Sequence, residues 1–411
     1  MTVLNGKHVL LGVTGSIAAF KAADLASKLT QLGAQVDVIL TRAAEKFITP
    51  LTFQSVTGRR AYNDTDLWGG EAHILHIGLS HSADILVVAP CTANTISKLA
   101  YGSADNLLTI TALACKCPML VAPAMDGGMF DAEVTQDNLR ILTKRGVYIA
   151  GPAEGRFASG LIGKGRLIEP IELIGHVRLV LGRNGRLADK KVLVTAGGTQ
   201  EPLDPVRVIT NKSSGKQGYA LAQAALDSGA EVTLITTPTS LPAPIGAHII
   251  EVQTAQQMYK SVLSESANAD VLIMAAAVAD FRPKKTARNK MKKREGIPQI
   301  ELEETEDILK AVAAQKPALS EVEGSSKKRL RVVVGFGAES RDLLANASEK
   351  LKSKKLDLIV ANDIASSDAG FGVETNRVTL LFPNGKKESL PLMSKAEVAE
   401  VIIEHVAALL E

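Results

Sequence analysis

The stretch "LLGVTGSIAAFK" at residues 10–21 decides how the N-terminal half of the chain is expected to fold. An apolar run leads into threonine and glycine and then into a helical pattern, which is typical of a β-strand that turns directly into a helix. A longer stretch of the same kind, "VLVTAGGTQEPLDPVRVITNKSSGKQG", lies at residues 192–218. Two such units, far apart in one chain, predict two separate domains.

Strands and helices alternate on both sides of a polar segment at 181–191. Continuous Val, Ile and Leu runs, such as "DILVVAP" at 84–90 and "DVLIMAAA" at 270–277, predict buried strands of parallel sheets. Helices are predicted at 17–31, 131–144, 217–228, 255–265, 341–353 and 394–410, and a loop at 315–330. We therefore predict an α/β protein with two Rossmann-like domains, 1–185 and 190–411, whose sheets are mainly parallel and whose crossovers are right-handed.

Composition excludes several classes of protein. The net charge of +3 is too small to indicate nucleic-acid binding, and three cysteines in 411 residues do not form a disulfide framework. No apolar run approaches the roughly 18 residues of a membrane span. The N-terminal "MTVLNGKHVLLG" leads straight into a predicted strand without a cleavable signal. We expect a cytoplasmic protein with neither nucleic acid nor a membrane as partner.

The first loop and its neighbours suggest an anion or cofactor site. Small residues with free N–H groups at a helix start can hold a phosphate, although an ordinary tight turn would look the same. The loop is not GxGxxG. The segments "APCTAN" at 89–94 and "VAPAMDGG" at 121–128 also end predicted strands, and ligands bind beyond the carboxyl ends of strands in open α/β sheets. His76 precedes one of these strands and is a candidate base.

The second loop combines hydroxyls, glycines and Lys216 at a helix start, which again suits phosphate, although it is not a Walker A loop. Asp280 ends the following strand, in "AAAVADF", and is a possible Mg2+ or ribose ligand. The basic segment, residues 284–296 ("KKTARNKMKKREG"), holds seven basic residues and one acid. One interpretation is a segment of exposed charge that is solvated or binds nucleic acid. The other is a mobile segment whose basic side chains bind a triphosphate.

The N-terminal motifs "GVTGSIAAFK", "HIGLSHSAD", "LVVAPCTANTISKLAYGSADNLL" and "PAMDGGM" resemble, in this order, the flavin-dependent phosphopantothenoylcysteine decarboxylases. The resemblance implies a flavodoxin-like domain with FMN, in which the flavin oxidises the substrate thiol so that CO2 is lost easily. It implies His76 as a catalytic residue. The implied FMN-binding residues are Gly15, Ser16, Ile17, Thr41, Ala89, Pro90, Thr92, Asn94, Ser103 and Met125.

Two motifs depart from that family. Asp126 stands where the family has an asparagine expected to hold the substrate carboxylate, and Ser159 stands where it has a cysteine expected to donate a proton. A serine hydroxyl is a far weaker acid than a thiol. The proton would then come from water held by Ser159, from protonated Asp126 or from Cys91. The alternative is a domain that binds FMN but has lost turnover.

The C-terminal motifs "DPVRVITNKSSGKQG", "AAAVADF", "KMKK", "VVGFGAES" and "LIVANDI" resemble the phosphopantothenate–cysteine ligases, so the whole chain resembles the bacterial bifunctional enzymes of coenzyme A biosynthesis. The resemblance implies CTP, Mg2+, 4'-phosphopantothenate and L-cysteine, with an acyl-cytidylate intermediate. It also implies catalytic roles for Asn211 and Lys290, with Arg207 in the same motif. The implied CTP contacts are Ala276, Asp280, Lys290, Glu306, Asp307, Ile308, Leu309, Phe336, Lys350 and Lys354, with Asp280 also binding the metal.

The same resemblance implies a homo-oligomer, with trimeric flavin domains that hold FMN between subunits and dimeric ligase domains. Two rival functions stay open at this point. The first is a ligase whose flavin domain is regulatory or inactive, which a separate decarboxylation assay would reveal. The second is a dinucleotide-dependent oxidoreductase with two Rossmann domains, against which the missing GxGxxG counts.

Overall fold

A computed structural model describes residues 3–68, 74–156, 160, 162–293, 296–318, 330–339, 343–363 and 372–411. The chain divides into two compact units, Met1–Gly182 (unit 1) and Arg183–Glu411 (unit 2). Among the described residues, no helix is both long and apolar enough to cross a membrane.

Unit 1 is built on a six-stranded parallel sheet in the order β3-β2-β1-β4-β5-β6. Its strands are β1 (His8–Val13), β2 (Gln35–Leu40), β3 (Ala61–Tyr62), β4 (Ile85–Cys91), β5 (Met119–Pro123) and β6 (Tyr148–Ile149), followed by the hairpin β7 (Ala153–Arg156) and β8 (Ile162–Arg166). Its helices are α1 (Ala19–Gln31), α2 (Pro50–Thr57), α3 (Leu75–Ser82), α4 (Ala93–Tyr101), α5 (Leu107–Ala114), α6 (Gly127–Asp131), α7 (Glu133–Lys144) and α8 (Pro170–Gly182). The strand order is that of a doubly wound Rossmann fold.

Both faces of the unit 1 sheet are covered, which is why its strands are mostly apolar; Asp37 in β2 is buried but pairs with Arg59. Along β1, Leu11 packs into one core with helices α1 and α8, whereas Leu10 packs into a second core with α4 and α5 on the other face. Both leucines are at most 2% exposed. Successive side chains of a strand point to opposite faces, so a strand between two helical layers carries no polar face.

Unit 2 has an eight-stranded sheet in the order β13-β12-β9-β14-β17-β18-β20-β21. Its strands are β9 (Lys191–Ala196), β10 (Gln200–Pro202), β11 (Val208–Thr210), β12 (Glu231–Thr236), β13 (His248–Glu251), β14 (Val271–Met274), β15 (Phe281–Pro283), β16 (Leu302–Glu304), β17 (Val332–Glu339), β18 (Leu358–Asp363), β19 (Thr375–Asn376), β20 (Val378–Leu381), β21 (Lys387–Ser389) and β22 (Met393–Ser394). Its helices are α9 (Lys216–Asp227), α10 (Ala255–Ser266), α11 (Ile308–Ala318), α12 (Leu343–Ser353) and α13 (Lys395–Leu410).

The sheet of unit 2 is parallel from β13 to β18 and antiparallel at β20 and β21. Three antiparallel pairs lie outside it: β10 with β11, β15 with β16, and β19 with β22. The prediction of two Rossmann-like domains with mainly parallel sheets is therefore confirmed.

Among the described residues, the sequence pattern missed seven helices: α2, α3, α4, α5, α6, α8 and α11. Several are short or largely apolar, such as α5 ("LLTITALA"), so a polar face does not reveal them. The predicted loop at 315–330 is wrong over its first four residues, which end α11. This helix is anchored by the buried side chains of Ile308, Leu309 and Val312. Residues 319–329 lie outside the described part of the chain.

Candidate active sites

Unit 1 contains a cavity of about 870 Å3 at the carboxyl ends of its strands. The turns that follow β1, β2, β4 and β5 contribute residues 14–18, 41–43, 92–95 and 124–126 to its lining. These turns meet because parallel strands present their carboxyl ends along one edge of the sheet.

A single buried threonine fixes two of these turns to each other. Thr14 is 1% exposed, and its Oγ1 donates a hydrogen bond of 2.7 Å to the carbonyl of Pro90. The same oxygen accepts a hydrogen bond of 3.0 Å from the N–H of Thr92. Gly15 lies so close to the turn after β2 that a Cβ would come within 2.5 Å of the Cβ of Ala43. The three turns therefore form one rigid rim.

The N-terminus of α1 opens onto this rim, and the Oγ of Ser16 accepts a hydrogen bond of 3.2 Å from the N–H of Ala18 there. Its N-cap is Ala18, which offers no side-chain hydrogen bond, and the adjacent Ser16, Ile17 and Phe20 line the cavity. The first N–H groups of a helix have no partner within the helix and carry partial positive charge. They are therefore suited to an anion.

Five cationic and three acidic side chains line the cavity of unit 1, namely Lys21, Arg42, Lys98, Arg156 and Arg166 with Asp64, Asp105 and Asp126. Two of the cations are neutralised locally. Lys21 pairs with Glu169 at 2.6 Å, and Lys98 pairs with Asp105 at 2.6 Å and lowers the pKa of that carboxyl. The arginines leave the cavity with a surplus of positive charge.

The β7–β8 hairpin packs against the turn after β5. The N–H of Met125 donates to the carbonyl of Gly165 at 2.9 Å, and a Cβ on Gly165 would lie 2.3 Å from the carbonyl oxygen of Met125. Asp126 is exposed at the start of α6, where its Oδ1 accepts a hydrogen bond of 3.0 Å from the N–H of Gly128. Ser159 lies outside the described residues.

Most of the predicted cofactor contacts line the cavity, namely Gly15, Ser16, Ile17, Thr41, Thr92, Asn94 and Met125, as does Asp126. Ala89 and Pro90 do not line it, because they lie within the buried strand β4, where the Pro90 carbonyl holds Thr14. Ser103 is exposed in the turn after α4 and also lies outside the lining.

Two further candidates lie away from this cavity. His76 is half-buried on α3, and its Nδ1 is buried without a hydrogen-bond partner among the described residues. Cys91 is fully buried in the core beside α4, and burial raises the pKa of its thiol. A thiol in that environment is a packing group and a poor acid.

Unit 2 contains a cavity of about 910 Å3, lined by residues 211–218, 274–281 and 304–309 together with side chains from β17, β18, α12 and α13. Nine of the predicted nucleotide contacts line it: Ala276, Asp280, Glu306, Asp307, Ile308, Leu309, Phe336, Lys350 and Lys354. Asn211 lines it too. Lys290 does not; it is exposed on the basic segment.

Hydrogen bonds fix the polar wall of this cavity. The Nδ2 of Asn211 donates to the carbonyls of Ala277 and Val278 at 3.1 and 3.2 Å. The ammonium of Lys350 donates to the carbonyl of Phe336 at 3.2 Å. These contacts hold the two side chains against the backbone of β17 and of the turn after β14.

Lys354 is less readily protonated than an exposed lysine. It forms an ion pair with Asp307, yet burial lowers its pKa, and the carboxylate of Asp280 offsets this only in part. A lysine and two carboxylates thus share one side of the cavity. The described residues contain no cluster of three His, Cys, Asp or Glu side chains able to hold a metal ion.

Two further lysines line this cavity: Lys216, which the sequence analysis assigned to a phosphate-binding loop, and Lys395, which it missed. Lys216 pairs with Glu374, and Lys395, at the start of α13, is 6% exposed. Burial and the charge of Lys216 both lower the pKa of Lys395. Gln217 ties the two helix starts together, because its Nε2 donates to the carbonyl of Lys395 at 3.1 Å. No local sequence signal marks Lys395, since only the fold brings it beside α9.

Comparison with known proteins matches both halves of the chain. The family model "Flavoprotein" matches residues 2–180, and the model "DNA/pantothenate metabolism flavoprotein C-terminal domain" matches residues 187–410. The coenzyme A biosynthesis bifunctional protein CoaBC of Bacillus subtilis (strain 168) is 45% identical over 410 residues, covering 99% of this chain and 98% of that protein. The protein of the same name from Vibrio vulnificus (strain YJ016) is 42% identical and is covered completely. The crystal structure of the C-terminal domain of a protein of this name is 38% identical, with a TM-score of 0.45, and covers 55% of this chain and 98% of that one.

Replacing Thr14 by valine should weaken the rim of the unit 1 cavity while keeping its shape. The Thr92 N–H would lose its partner, and the buried Pro90 carbonyl would lose its shorter hydrogen bond. Leaving buried polar groups unpaired costs about 1–3 kcal/mol each. We expect the free energy of unfolding of unit 1 to fall by about this amount in urea, with faster hydrogen exchange in β1 and β4. Thr143→Val, which removes one hydrogen bond on α7, is the control; equal losses in both variants would contradict the prediction.

Proposed function

The chain belongs to the family of coenzyme A biosynthesis bifunctional proteins, and from this premise we propose how its two units share the work. The protein catalyses two successive steps of coenzyme A biosynthesis, the ligation of phosphopantothenate with cysteine and the decarboxylation of the product. We assign the ligation to unit 2, with CTP and Mg2+, and the decarboxylation to unit 1, with FMN. The observation that carries this assignment is that each family model matches one half and each half has its own cavity.

In unit 1, the start of α1 opens onto the cavity and suits the phosphate of FMN, and we assign the ring to Thr92, Asn94 and Met125 of the lining. The flavin supplies a two-electron acceptor for the substrate thiol, which makes loss of CO2 easy. Arg156 and Arg166 offer charge for the substrate carboxylate, which Asp126 would repel when ionised. Of the candidates, we assign proton donation to Asp126, with Ser159 holding water.

His76 would reach the flavin site from a neighbouring copy of the chain. It does not line the cavity of its own unit, whereas large apolar side chains beside that cavity are exposed: Ile17 at 65% and Phe20 at 64%. Apolar exposure of this size next to a site indicates an interface. We therefore propose a trimer of unit 1 with FMN between subunits.

The three free cysteines fit a reducing cytoplasm.

In unit 2, Asp280 is placed to bind the ribose of CTP or Mg2+. Mg2+ is commonly held by one or two carboxylates together with substrate phosphates, so a single carboxylate fits that ion. Lys216, Lys395 and the start of α9 suit phosphate groups, and Asn211 lies where the acyl group would react. The pantothenate carboxylate would attack the α-phosphate of CTP to release pyrophosphate, and the amine of cysteine would then displace CMP.

A dimer of unit 2 is supported by the exposed apolar residues of its hairpins. Val206 is 64% exposed and Phe281 is 52% exposed, on segments next to the cavity.

A second candidate function for the whole chain is a ligase whose flavin domain has lost turnover. The substitutions at Asp126 and Ser159 are the observations that favour it.

The assignment is tested by incubating the full chain with 4'-phosphopantothenate, L-cysteine, CTP and Mg2+ and identifying products by mass. We expect phosphopantothenoylcysteine, pyrophosphate and CMP first, and 4'-phosphopantetheine with CO2 only in the flavin-loaded protein. Ligation without CO2 release by the flavin-loaded protein would contradict the proposed decarboxylation by unit 1 and would support the alternative of a ligase whose flavin domain has lost turnover. Ligation with ATP but not with CTP would overturn the choice of nucleotide.

Asp126→Asn tests the proposed proton donor. The amide keeps the size and the hydrogen bond to the Gly128 N–H but cannot donate an acidic proton. We expect release of 4'-phosphopantetheine to slow by about 10²–10⁴-fold, the range of general acid catalysis. Ser159→Ala should have a smaller effect, and Cys91→Ala, which changes a buried packing residue, should affect stability more than rate. Wild-type turnover in Asp126→Asn would remove Asp126 from the mechanism.

Lys290→Gln tests whether the basic segment acts on the nucleotide. Loss of one charge-assisted hydrogen bond should slow ligation by about 10- to 150-fold. Flavin absorbance and decarboxylation of supplied phosphopantothenoylcysteine should not change. Lys285→Gln is the matched control, because Lys285 is equally exposed on the same segment but outside "KMKK". Equal kinetics in the two variants would make the segment a solvated run of charge.

A further inference from the structure

A buried carboxylate outside both cavities connects the basic segment to the rest of unit 2. We propose that Asp204 is a positioning residue of the ligase, which holds the basic segment in place for the reaction by fixing it to the loop that carries Arg207. This inference rests on the proposed ligase function for its kinetic consequence, but its structural consequence can be measured independently.

Asp204 is surrounded by donors. Its side chain is fully buried, and its Oδ1 accepts hydrogen bonds of 2.8 and 2.9 Å from the N–H groups of Val206 and Arg207. Its Oδ2 accepts bonds of 2.9 and 2.6 Å from Nε and Nη2 of Arg207, and one of 3.1 Å from the N–H of Met291. The hydrogen bonds from Arg207 hold the pKa of Asp204 well below its usual value, although burial acts in the opposite direction. The group is therefore an anion at any pH where the enzyme works.

The basic segment has few other attachments. Met291 forms a second hydrogen bond with the same loop, because its carbonyl accepts from Nη2 of Arg207 at 2.9 Å. Ala287 donates its N–H to the carbonyl of Leu203 at 3.0 Å, and Thr286 donates its hydroxyl to the carbonyl of Pro202 at 3.1 Å. These bonds all end on residues 202–207, whereas the start of the segment is attached elsewhere, because the N–H of Lys284 donates to the carbonyl of Glu301 at 3.0 Å.

The charged side chains of the segment do not hold it in place. Its described basic residues, Lys284, Lys285, Arg288, Lys290, Lys292 and Lys293, are all exposed. Only Lys284 forms an ion pair among the described residues, at 4.0 Å to Glu301. Exposed pairs of this length contribute little, and like charges in one segment repel. The position of Lys290 is thus set by the backbone contacts around it. Two of these contacts involve a charged partner, namely those of Met291 with Asp204 and with Arg207.

A carboxylate is required at this position because every contact it makes is with a donor. An asparagine would replace one of the two carboxylate oxygens by an NH2 group, which is itself a donor. In one orientation this NH2 group would face the Arg207 guanidinium and the Met291 N–H; in the other it would face the N–H groups of Val206 and Arg207. Asp204 also links the segment to the cavity, since Asn211 lines the cavity four residues beyond Arg207. Because Asp204 itself lines neither cavity, it acts through the residues it holds.

The test uses Asp204→Asn in the full chain. Limited trypsin digestion should cut within 284–293 at least about 10-fold faster than in the wild type, as expected when a charged hydrogen bond that opposes local opening is lost. Ligase kcat should fall and KM for CTP should rise, while decarboxylation of supplied phosphopantothenoylcysteine stays at the wild-type rate. Asp270→Asn is the matched control, because Asp270 is also buried in unit 2 but accepts from Lys191, away from the segment.

Ala287→Pro removes a different attachment of the basic segment, one that does not involve Asp204. Proline lacks the N–H that Ala287 donates to the carbonyl of Leu203. It should reproduce the trypsin and kinetic changes without altering the buried carboxylate, and it decides the question if Asp204→Asn unfolds unit 2. Wild-type trypsin sensitivity in both variants, or the same changes in Asp270→Asn, would overturn the proposal. A chain without any ligase activity would refute the proposed function, while the digestion pattern would still test the role of Asp204.

Discussion

Both cavities depend on the close approach of a helix start to the end of a parallel strand. In unit 1, Gly15 permits the turn before α1 to touch the turn after β2 at Ala43. In unit 2, a Cβ on Gly218 would come within 2.5 Å of the Cβ of Ala196, so only glycine lets α9 lie directly on β9. Any larger residue would move the helix start, and the positive end of its dipole, away from the strand ends.

The same backbone arrangement is used with different side-chain chemistry in the two units. Lysines pair with acids in both cavities, Lys21 with Glu169 and Lys98 with Asp105 in unit 1, and Lys354 with Asp307 and Lys216 with Glu374 in unit 2. The difference lies in the arginines: Arg42, Arg156 and Arg166 line the cavity of unit 1, whereas the described lining of the unit 2 cavity contains lysines as its only cations.

The sequence predicted what is encoded locally. Apolar runs predicted the strands, and the loops at 14–17 and 211–218 line cavities as expected. Predictions were less accurate where orientation matters. Pro90 was assigned to the ligand, but its strand is buried and its carbonyl serves Thr14. Lys395 had no local signal, because it reaches its site through the packing of α13 beside α9. Asp204 bonds mainly to its neighbours Val206 and Arg207, and only its contact with Met291 depends on the fold.

The burial of Cys91 has a chemical consequence for an enzyme that decarboxylates a cysteine derivative. The chain has three cysteines; Cys91 is enclosed in the core, and neither Cys115 nor Cys117 lines the cavity of unit 1. Substrate and product of the decarboxylation both carry sulfur, and a nearby protein thiolate could exchange with their oxidised forms. The described lining of this cavity holds no thiol that could form a mixed disulfide with them. Its sulfur atoms are the thioethers of Met125 and Met129, which do not undergo this exchange.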